Sequence, residues 1–460
     1  MDIELLGWIA LVFGLLSMIV SHSFAIWVSV VFTVFSASAG IILTGFGGAP
    51  IIVPYVFMLF GFLICISRFG MAFFVSNLFE TKVGIQLVSF SLFSLITALV
   101  LPRIFQDEVQ VYWPVRGNIQ GAALVVLLPL APREGNVTQS IYVIGTLFSF
   151  GIMFNMLMRS NGARYFLNAM LSLATANILS AIIDIATYAT DTADTISFIR
   201  NSSYAFIAED QIGIFKRVIG FFSEAAAFGA FNMQLFPFLL SLFSSGVRRE
   251  LTAPLTFATL ILLFLSTSTT AYVSFMVYMF VGGAPMILDL IRRKFQATIV
   301  IGFTVLVVFV VATQYISTIG ALSDVGDLFD NVLFYKSYTA SSMERGNWNL
   351  QAWQCFIETF GLGVGLGSTR ASSFPLVLLS NVGLIGTVLF GAFIHTLMRS
   401  PIASTIDPLT RAVGQASRQA ILGGLIAATI SGAVMDLGLL FYFCAAGAAR
   451  AVTAGGKTAY

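Results

Sequence analysis

Charged residues are scarce in this chain, and two that could carry chemistry lie in one short stretch. The segment RVIGFFSE runs from Arg217 to Glu224 and is followed by three alanines. Seven residues are about two helical turns, so a helix would place both side chains on one face, with Cα atoms about 10 Å apart along the axis. An ionisable residue just inside an apolar segment indicates a functional site. The alternatives are that Arg217 lies among lipid headgroups and that Glu224 pairs with another helix.

Two further stretches follow later in the chain. The segment ERGNWNLQAW contains Glu344, Arg345 and Trp348. Aromatic faces suit sugar rings and a guanidinium suits a phosphate, but a hydrated loop with interfacial tryptophans has the same composition. The segment GLGVGLGSTR ends at Arg370, and its alternating glycines permit unusual backbone angles and close approach. It lacks the GK[ST] ending of a phosphate loop, and a flexible approach to the next span is equally compatible with it.

The histidines and cysteines offer little chemistry. His22 and His395 are predicted on the opposite side, so a base near these stretches must be a carboxylate, and Glu224 is the best placed. The other carboxylates are weaker candidates (Glu209, Asp210, Glu344, Glu358) or are expected to be structural (Asp184, Asp436). No CxxC pattern or Cys/His cluster occurs, so we expect no disulfide framework, no metal and no cofactor.

The composition indicates a membrane protein. The 460 residues are 58% hydrophobic and 10% charged, with a mean hydropathy of +0.94. A soluble domain needs a more charged surface. The sequence therefore predicts an all-α polytopic membrane protein, one transmembrane domain over residues 1–460 with about 12 to 13 helices. The predicted spans are 4–21, 24–44, 49–67, 83–101, 140–158, 163–188, 219–244, 252–267, 270–289, 298–318, 375–398, 417–434 and 437–450.

Positive charge predicts the orientation of these spans. Most Lys and Arg residues fall on one side, which the positive-inside tendency makes cytoplasmic. Three long loops, about 102–139, 189–218 and 319–374, are left on the outer side. Within the first, Gly121–Ala131 is apolar but too short to span, so we expect it to lie in the interface or re-enter. In the third, Trp348–Phe360 is expected to form a helix on the membrane surface.

The basic residues on the outer side need a reason. They include Lys216, Arg200, Arg217, Arg345 and Arg370, and no basic run exists that could follow a nucleic acid. A lipid-linked diphosphate fits this pattern, since its chain lies in the bilayer and its phosphates at the headgroups. Arginines would stabilise the leaving diphosphate and Glu224 would take a proton from a sugar hydroxyl. That chemistry is metal-independent glycosyl transfer.

The same stretches resemble a known family. RxxGxxxE followed by small residues, ERGNWNLQAW and GxGxGSTRASSFPLVLLSNVGLIG are similar to the bacterial O-antigen polymerase and ligase superfamily, and most of all to Wzy-type exopolysaccharide polymerases. The resemblance covers residues 200–390 best. It implies a GT-C-like membrane fold in the inner membrane, a site facing the periplasm, and polyprenyl-diphosphate-linked glycans as donor and acceptor. It also implies that Arg217 and Arg345 hold the lipid diphosphate.

Two departures from the family pattern bear on this resemblance. Ligases typically carry a His near the start of the span after the glycines, and this chain has none there, which favours a polymerase. The Ser266–Thr270 turn lacks the Arg of many relatives, which puts a third diphosphate contact in doubt. The alternatives are an O-antigen ligase, a peptidoglycan-type polymerase, and a transporter or flippase of lipid-linked glycans, whose charges would lie nearer the bilayer midplane in two related halves. A partner for chain length or export is left open.

Overall fold

The structure, a computed structural model, describes residues 2–43, 49–116, 123–201, 211–212, 215–286, 288 and 340–453. These residues are mostly helical. The α-helices are α1 (Leu5–Ile19), α2 (His22–Val31), α3 (Val53–Phe69), α4 (Met71–Phe79), α5 (Lys82–Ile104), α6 (Glu134–Leu157), α7 (Gly162–Ala189), α8 (Ala225–Ser245), α9 (Arg249–Leu265), α10 (Thr269–Tyr278), α11 (Ala340–Glu358), α12 (Phe374–Arg399), α13 (Pro408–Ser431) and α14 (Leu439–Thr453). Short 3₁₀ segments occur at Phe32–Phe35 and Ala193–Ile199, and a π-helical turn at Met279–Gly283.

The long apolar helices make this a multi-pass membrane protein. Among the described residues, five helices are long and apolar enough to cross a bilayer: α5, α6, α7, α8 and α12. The pair α3 and α4, bent by 105° at Gly70, adds a sixth if it is one broken span. Shorter apolar helices, including α1 and α14, accompany them. The larger number of crossings stays a prediction, and the predicted span 298–318 lies outside the described residues.

The helices run between two ends of different character. At one end, Arg68 Nη2 donates to the carbonyl of Met18 at 2.5 Å, and Arg450 Nε donates to the carbonyl of Leu157 at 3.0 Å. Arg159 lies with its Cζ 4.1 Å from the centre of the Phe69 ring. We call this the basic end. The opposite end carries the strands and long connections, and we call it the loop-rich end.

Small and polar residues hold the helices together. The Asn177 amide donates to Asn232 Oδ1 at 3.0 Å and joins α7 to α8, and the Asn77 amide donates to Asn155 at 2.7 Å and joins α4 to α6. A Cβ on Gly423 of α13 would collide with the carbonyl of Met233 in α8, so these two helices approach closely. Interhelical hydrogen bonds and small residues at crossings are the usual means of helix association in a bilayer.

Short strands at the loop-rich end accompany the helices, which make up most of the described residues in agreement with the predicted helical membrane fold. A three-stranded antiparallel sheet joins β1 (Asp2–Ile3), β2 (Ala39–Leu43) and β3 (Ala49–Ile52), with β2 in the centre. The first long connection holds a hairpin of β4 (Gln110–Arg116) and β5 (Ala123–Pro129). The segment Gly121–Ala131 therefore includes the strand β5, and its place relative to the membrane stays a prediction. Its run of β-branched and leucine side chains suits a strand. The sequence pattern does not show that β4 is the strand with which it pairs.

Candidate functional site

The glycine-rich segment 361–370 is built into a break in α12. Gly383, inside that helix, has φ +63° and interrupts its hydrogen bonding. The N–H of Val364 donates to the carbonyl of Ser380 at 2.7 Å and that of Gly365 to the carbonyl of Asn381 at 3.0 Å. In return, the N–H of Leu384 donates to the carbonyl of Gly361 at 2.9 Å. The segment thus supplies the partners that the broken helix lacks, as irregular backbone inside a membrane protein requires.

Two asparagines fix the far end of this segment. Asn381 Oδ1 accepts from the N–H groups of Gly367 at 2.9 Å and Ser368 at 3.2 Å. The Asn136 amide of α6 donates to the carbonyl of Leu366 and to Ser368 Oγ, both at 2.8 Å. The hypothesis of a flexible approach to the next span is therefore wrong, because long-range hydrogen bonds lock the segment. Its last residue, Arg370, is held in a defined place.

Arg370 lies against α11. Its guanidinium carbon is 4.8 Å from the centre of the Trp348 ring, a cation–π distance. The N–H of Ser372 donates to Asn349 Oδ1 at 2.7 Å, and the N–H of Arg370 to the carbonyl of Tyr112 in β4 at 3.3 Å. The helix predicted over Trp348–Phe360 is present and begins earlier, at Ala340. The hairpin, α11 and the glycine segment therefore meet around one arginine.

The charged groups near Arg370 are those that the sequence singled out. Burial lowers the pKa of the Arg370 guanidinium. Among its neighbours, Glu224 raises that pKa, Arg345 lowers it and Glu344 raises it. The four charged residues and Trp348 form what we call the arginine cluster. Glu224 and Arg345, two candidates from other parts of the sequence, thus lie within electrostatic reach of Arg370.

The arginine cluster contains two buried N–H donors that the described residues leave without an acceptor. Arg370 Nε and Trp348 Nε1 are shielded from solvent, and neither has a hydrogen-bond partner in the part of the chain that the structure describes. An unmet buried donor costs about 1–3 kcal/mol. The indole N–H of Trp348 and the Arg370 guanidinium, with Arg345 within electrostatic reach, suit an anion with several acceptor oxygens.

The predicted common helix for Arg217 and Glu224 is wrong. Residues 217–224 are not helical, and α8 begins only at Ala225, with Glu224 as its N-cap residue. The backbone N–H groups of Ile219 and Gly220 donate to Asp184 Oδ2 at 2.9 and 3.1 Å, and Gly220 has φ +54°. These bonds hold a turn where the helix was expected. Seven-residue spacing therefore says nothing about the distance between the two side chains.

Arg217 lies beside the turn between α9 and α10. The N–H of Val218, the residue after Arg217, donates to the carbonyl of Leu265 at 3.2 Å. The charge of Arg217 acts on the phenol of Tyr272 in α10, whose hydroxyl donates to the carbonyl of Phe264 at 2.8 Å. Sequence reasoning missed Tyr272, and its position two residues after a Ser/Thr turn was the only signal. Gly229, in the second turn of α8, packs on Ala271, which brings this turn next to the start of α8.

Arg200 and Lys216 are engaged elsewhere. Arg200 Nη2 and Lys216 Nζ each lie 2.6 Å from Asp184 Oδ1, and Arg200 Nε also donates to the carbonyl of Gly220 at 3.1 Å. Burial lowers the pKa of Lys216 and the charge of Asp184 opposes that shift. Asp184 is buried, as expected for a structural residue, and it joins α7 to the connection that precedes α8. Both basic residues that were predicted to bind substrate thus serve this junction.

We expect Asp184→Asn to destabilise the protein by about 3 kcal/mol or more, because it leaves two buried cations on one neutral side chain. The measurement is thermal unfolding of purified protein in one detergent. Asp191→Asn is the matched control, since Asp191 is exposed and lies in the same connection. Equal unfolding temperatures for Asp184→Asn and wild type would contradict the structural role.

Known proteins add no further information on the site. Comparisons with protein families, with curated proteins and with solved structures find no match. Within the described residues, no group of three or more His, Cys, Asp or Glu side chains is arranged to hold a metal ion. The conclusions on function therefore depend on the arginine cluster and on the sequence resemblance.

Proposed function

We propose that this protein is a membrane glycosyltransferase that joins polyprenyl-diphosphate-linked oligosaccharide repeat units into a polysaccharide. The loop-rich end would face the periplasm of a bacterial inner membrane, since the arginines at the basic end favour the cytoplasmic side. The observation that carries the proposal is the pair of unsatisfied buried donors, Arg370 Nε and Trp348 Nε1, beside Arg345. Such a place fits the diphosphate of a lipid carrier whose chain lies in the bilayer.

The arginine cluster suggests a division of roles. Arg345 and Arg370 would hold the diphosphate oxygens, and Trp348 would hold the Arg370 guanidinium in one orientation. Arg217 would approach from the neighbouring turn near Tyr272. The acceptor hydroxyl would form a bond to the anomeric carbon as the bond from that carbon to the diphosphate breaks. The hydroxyl proton would pass to Glu224, and the electron pair would leave with the diphosphate.

The direct test uses purified full-length protein and lipid-linked repeat units. A polymerase yields a ladder of longer lipid-linked glycans without any other acceptor. A ligase yields product only when lipid A–core is added, and a transporter yields none but moves the substrate across a vesicle membrane. A peptidoglycan-type polymerase elongates lipid-linked peptidoglycan precursor instead. Absence of the ladder with the repeat unit of the source strain would overturn the proposal.

The charged residues provide a second prediction. Arg217→Ala, Arg345→Ala and Glu224→Gln are each expected to abolish polymer formation while the protein remains in the membrane. Each substitution removes a charged side chain that the proposed reaction uses. Glu108→Gln is the control for the carboxylate, since Glu108 is exposed at the same end. Polymer yield is measured on gels, and protein in the membrane fraction by immunoblotting. Wild-type polymer length in all three variants would contradict the assignment.

A further inference from the structure

A second polar cluster lies at the loop-rich end, in the connection between α13 and α14. Asp436 Oδ2 accepts from the hydroxyl of Tyr55 in α3 at 2.7 Å, and Oδ1 accepts from the N–H of Gly438 at 2.8 Å. Both ion pairs found in the described residues involve Asp184, so no basic side chain there pairs with Asp436. The sequence alone suggested a structural role for Asp436.

Aromatic and hydroxyl groups surround this carboxylate. Tyr142 of α6 lies with its ring centre 6.1 Å from that of Tyr55, and Tyr442 of α14 acts electrostatically on Asp436. Tyr55, Tyr142 and Asp436 are each only partly buried by their exposed surface. Burial raises the pKa of Asp436, while the hydrogen bonds from Tyr55 and the Gly438 N–H lower it. The carboxyl oxygens accept these two hydrogen bonds from the described residues and have lone pairs left for further hydroxyl donors.

Helix α6 connects this group to the arginine cluster. Its Asn136 binds the glycine segment, as described above, and a Cβ on Gly367 would lie 2.9 Å from Cγ of Gln139. Tyr142 follows Asn136 by six residues, which is about 9 Å along a helix. From the other side, Ser373 Oγ donates to the carbonyl of Thr429 at 2.9 Å, close to the start of the connection that carries Asp436. The two clusters thus lie at the same end of the bundle and are linked through α6 and through the Ser373–Thr429 hydrogen bond.

We propose that Asp436, Tyr55 and Tyr142 form a sugar-binding subsite that holds the acceptor glycan next to the arginine cluster. This inference rests on the proposed function. A carboxylate oxygen accepts sugar hydroxyls, and tyrosine rings offer both an apolar face and a hydrogen-bonding tip. Such a subsite recognises the glycan rather than the lipid diphosphate. A polymerase needs that division, because its acceptor reacts through a sugar hydroxyl.

Two probes separate the two clusters in full-length protein in detergent. The first is the free oligosaccharide that mild acid releases from the lipid-linked repeat unit of the source strain, labelled at its reducing end. The second is a short-chain polyprenyl diphosphate without sugar. We expect Asp436→Asn to weaken binding of the oligosaccharide about tenfold or more and to leave binding of the diphosphate unchanged. Arg370→Ala should have the opposite pattern.

Two further variants control this experiment. Tyr142→Phe removes one phenol oxygen and leaves the carboxylate in place, and it should weaken oligosaccharide binding by about threefold. Asp407→Asn, at the N-cap of α13, should change neither affinity. Wild-type affinity for the oligosaccharide in Asp436→Asn, or no binding of it by wild-type protein, would overturn the subsite. Loss of diphosphate binding alone, in Arg370→Ala, would still support the proposed function.

Discussion

Arg370→Ala is expected to lower polymer formation by about 100-fold or more. The guanidinium stacks on Trp348 and lies within electrostatic reach of Arg345, so it would meet the diphosphate as negative charge develops on it. Removal of one fixed donor to such charge costs about 10² to 10³ in rate. The measurement is the initial rate of chain elongation with purified protein and lipid-linked repeat units.

Two companion variants make this result specific. Arg370→Lys keeps the charge but loses the planar fork and the stacking on Trp348, so we expect an intermediate rate. Arg103→Ala removes an exposed arginine from the same end of the bundle and should leave the rate unchanged. An Arg370→Ala protein with the elongation rate of the wild type would exclude the arginine cluster as the diphosphate site.

Gly365→Ala should destabilise the loop-rich end. Gly365 has φ +99°, and a Cβ there would lie 2.6 Å from Cδ of Pro102 and 2.7 Å from the carbonyl oxygen of Thr97. The backbone strain alone costs about 1–3 kcal/mol, and α5 cannot withdraw without breaking its packing on α12. We therefore expect an unfolding temperature several degrees lower, or loss of the protein from the membrane fraction.

The matched control for this substitution lies in α12. A Cβ on Gly391 would meet nothing within 4 Å, so Gly391→Ala adds the same methyl group to open space in the helix that the glycine segment packs against. This variant should be as stable as the wild type or slightly more stable, because alanine favours a helix. Equal behaviour of the two variants would show that the glycine segment is not packed as described.

The long helices could be predicted because composition alone determines them. The predicted spans 83–101, 140–158 and 163–188 agree with α5, α6 and α7 to within a few residues at most ends. The β4–β5 hairpin was missed, since its two strands stabilise each other by pairing, which a local pattern does not show. The approach to α8 was also missed, because Asp184, more than 30 residues earlier, binds the backbone there.

The residue types of the candidate site were predictable, but their arrangement was not. Arg345, Arg370 and Glu224 stood out because charge is rare in such a chain. Their proximity depends on contacts between distant segments, such as the hydrogen bonds from Asn136 to the glycine segment. Local patterns carry no information about such pairs. For the same reason the sequence could not show that Arg200 and Lys216, which were expected to bind substrate, both pair with Asp184.

The hydrogen bonds between the glycine segment and α12 also determine when the arginine cluster can form during protein synthesis. Ribosomes release the N-terminal part first, so α6 and its Asn136 enter the membrane long before residues 361–370 exist. The break at Gly383 can close only when both α12 and the glycine segment have been made. Nascent chains that stop before this point therefore lack the arginine cluster. A partly inserted protein would therefore lack the proposed site, which would form only when nearly the whole chain has been translated.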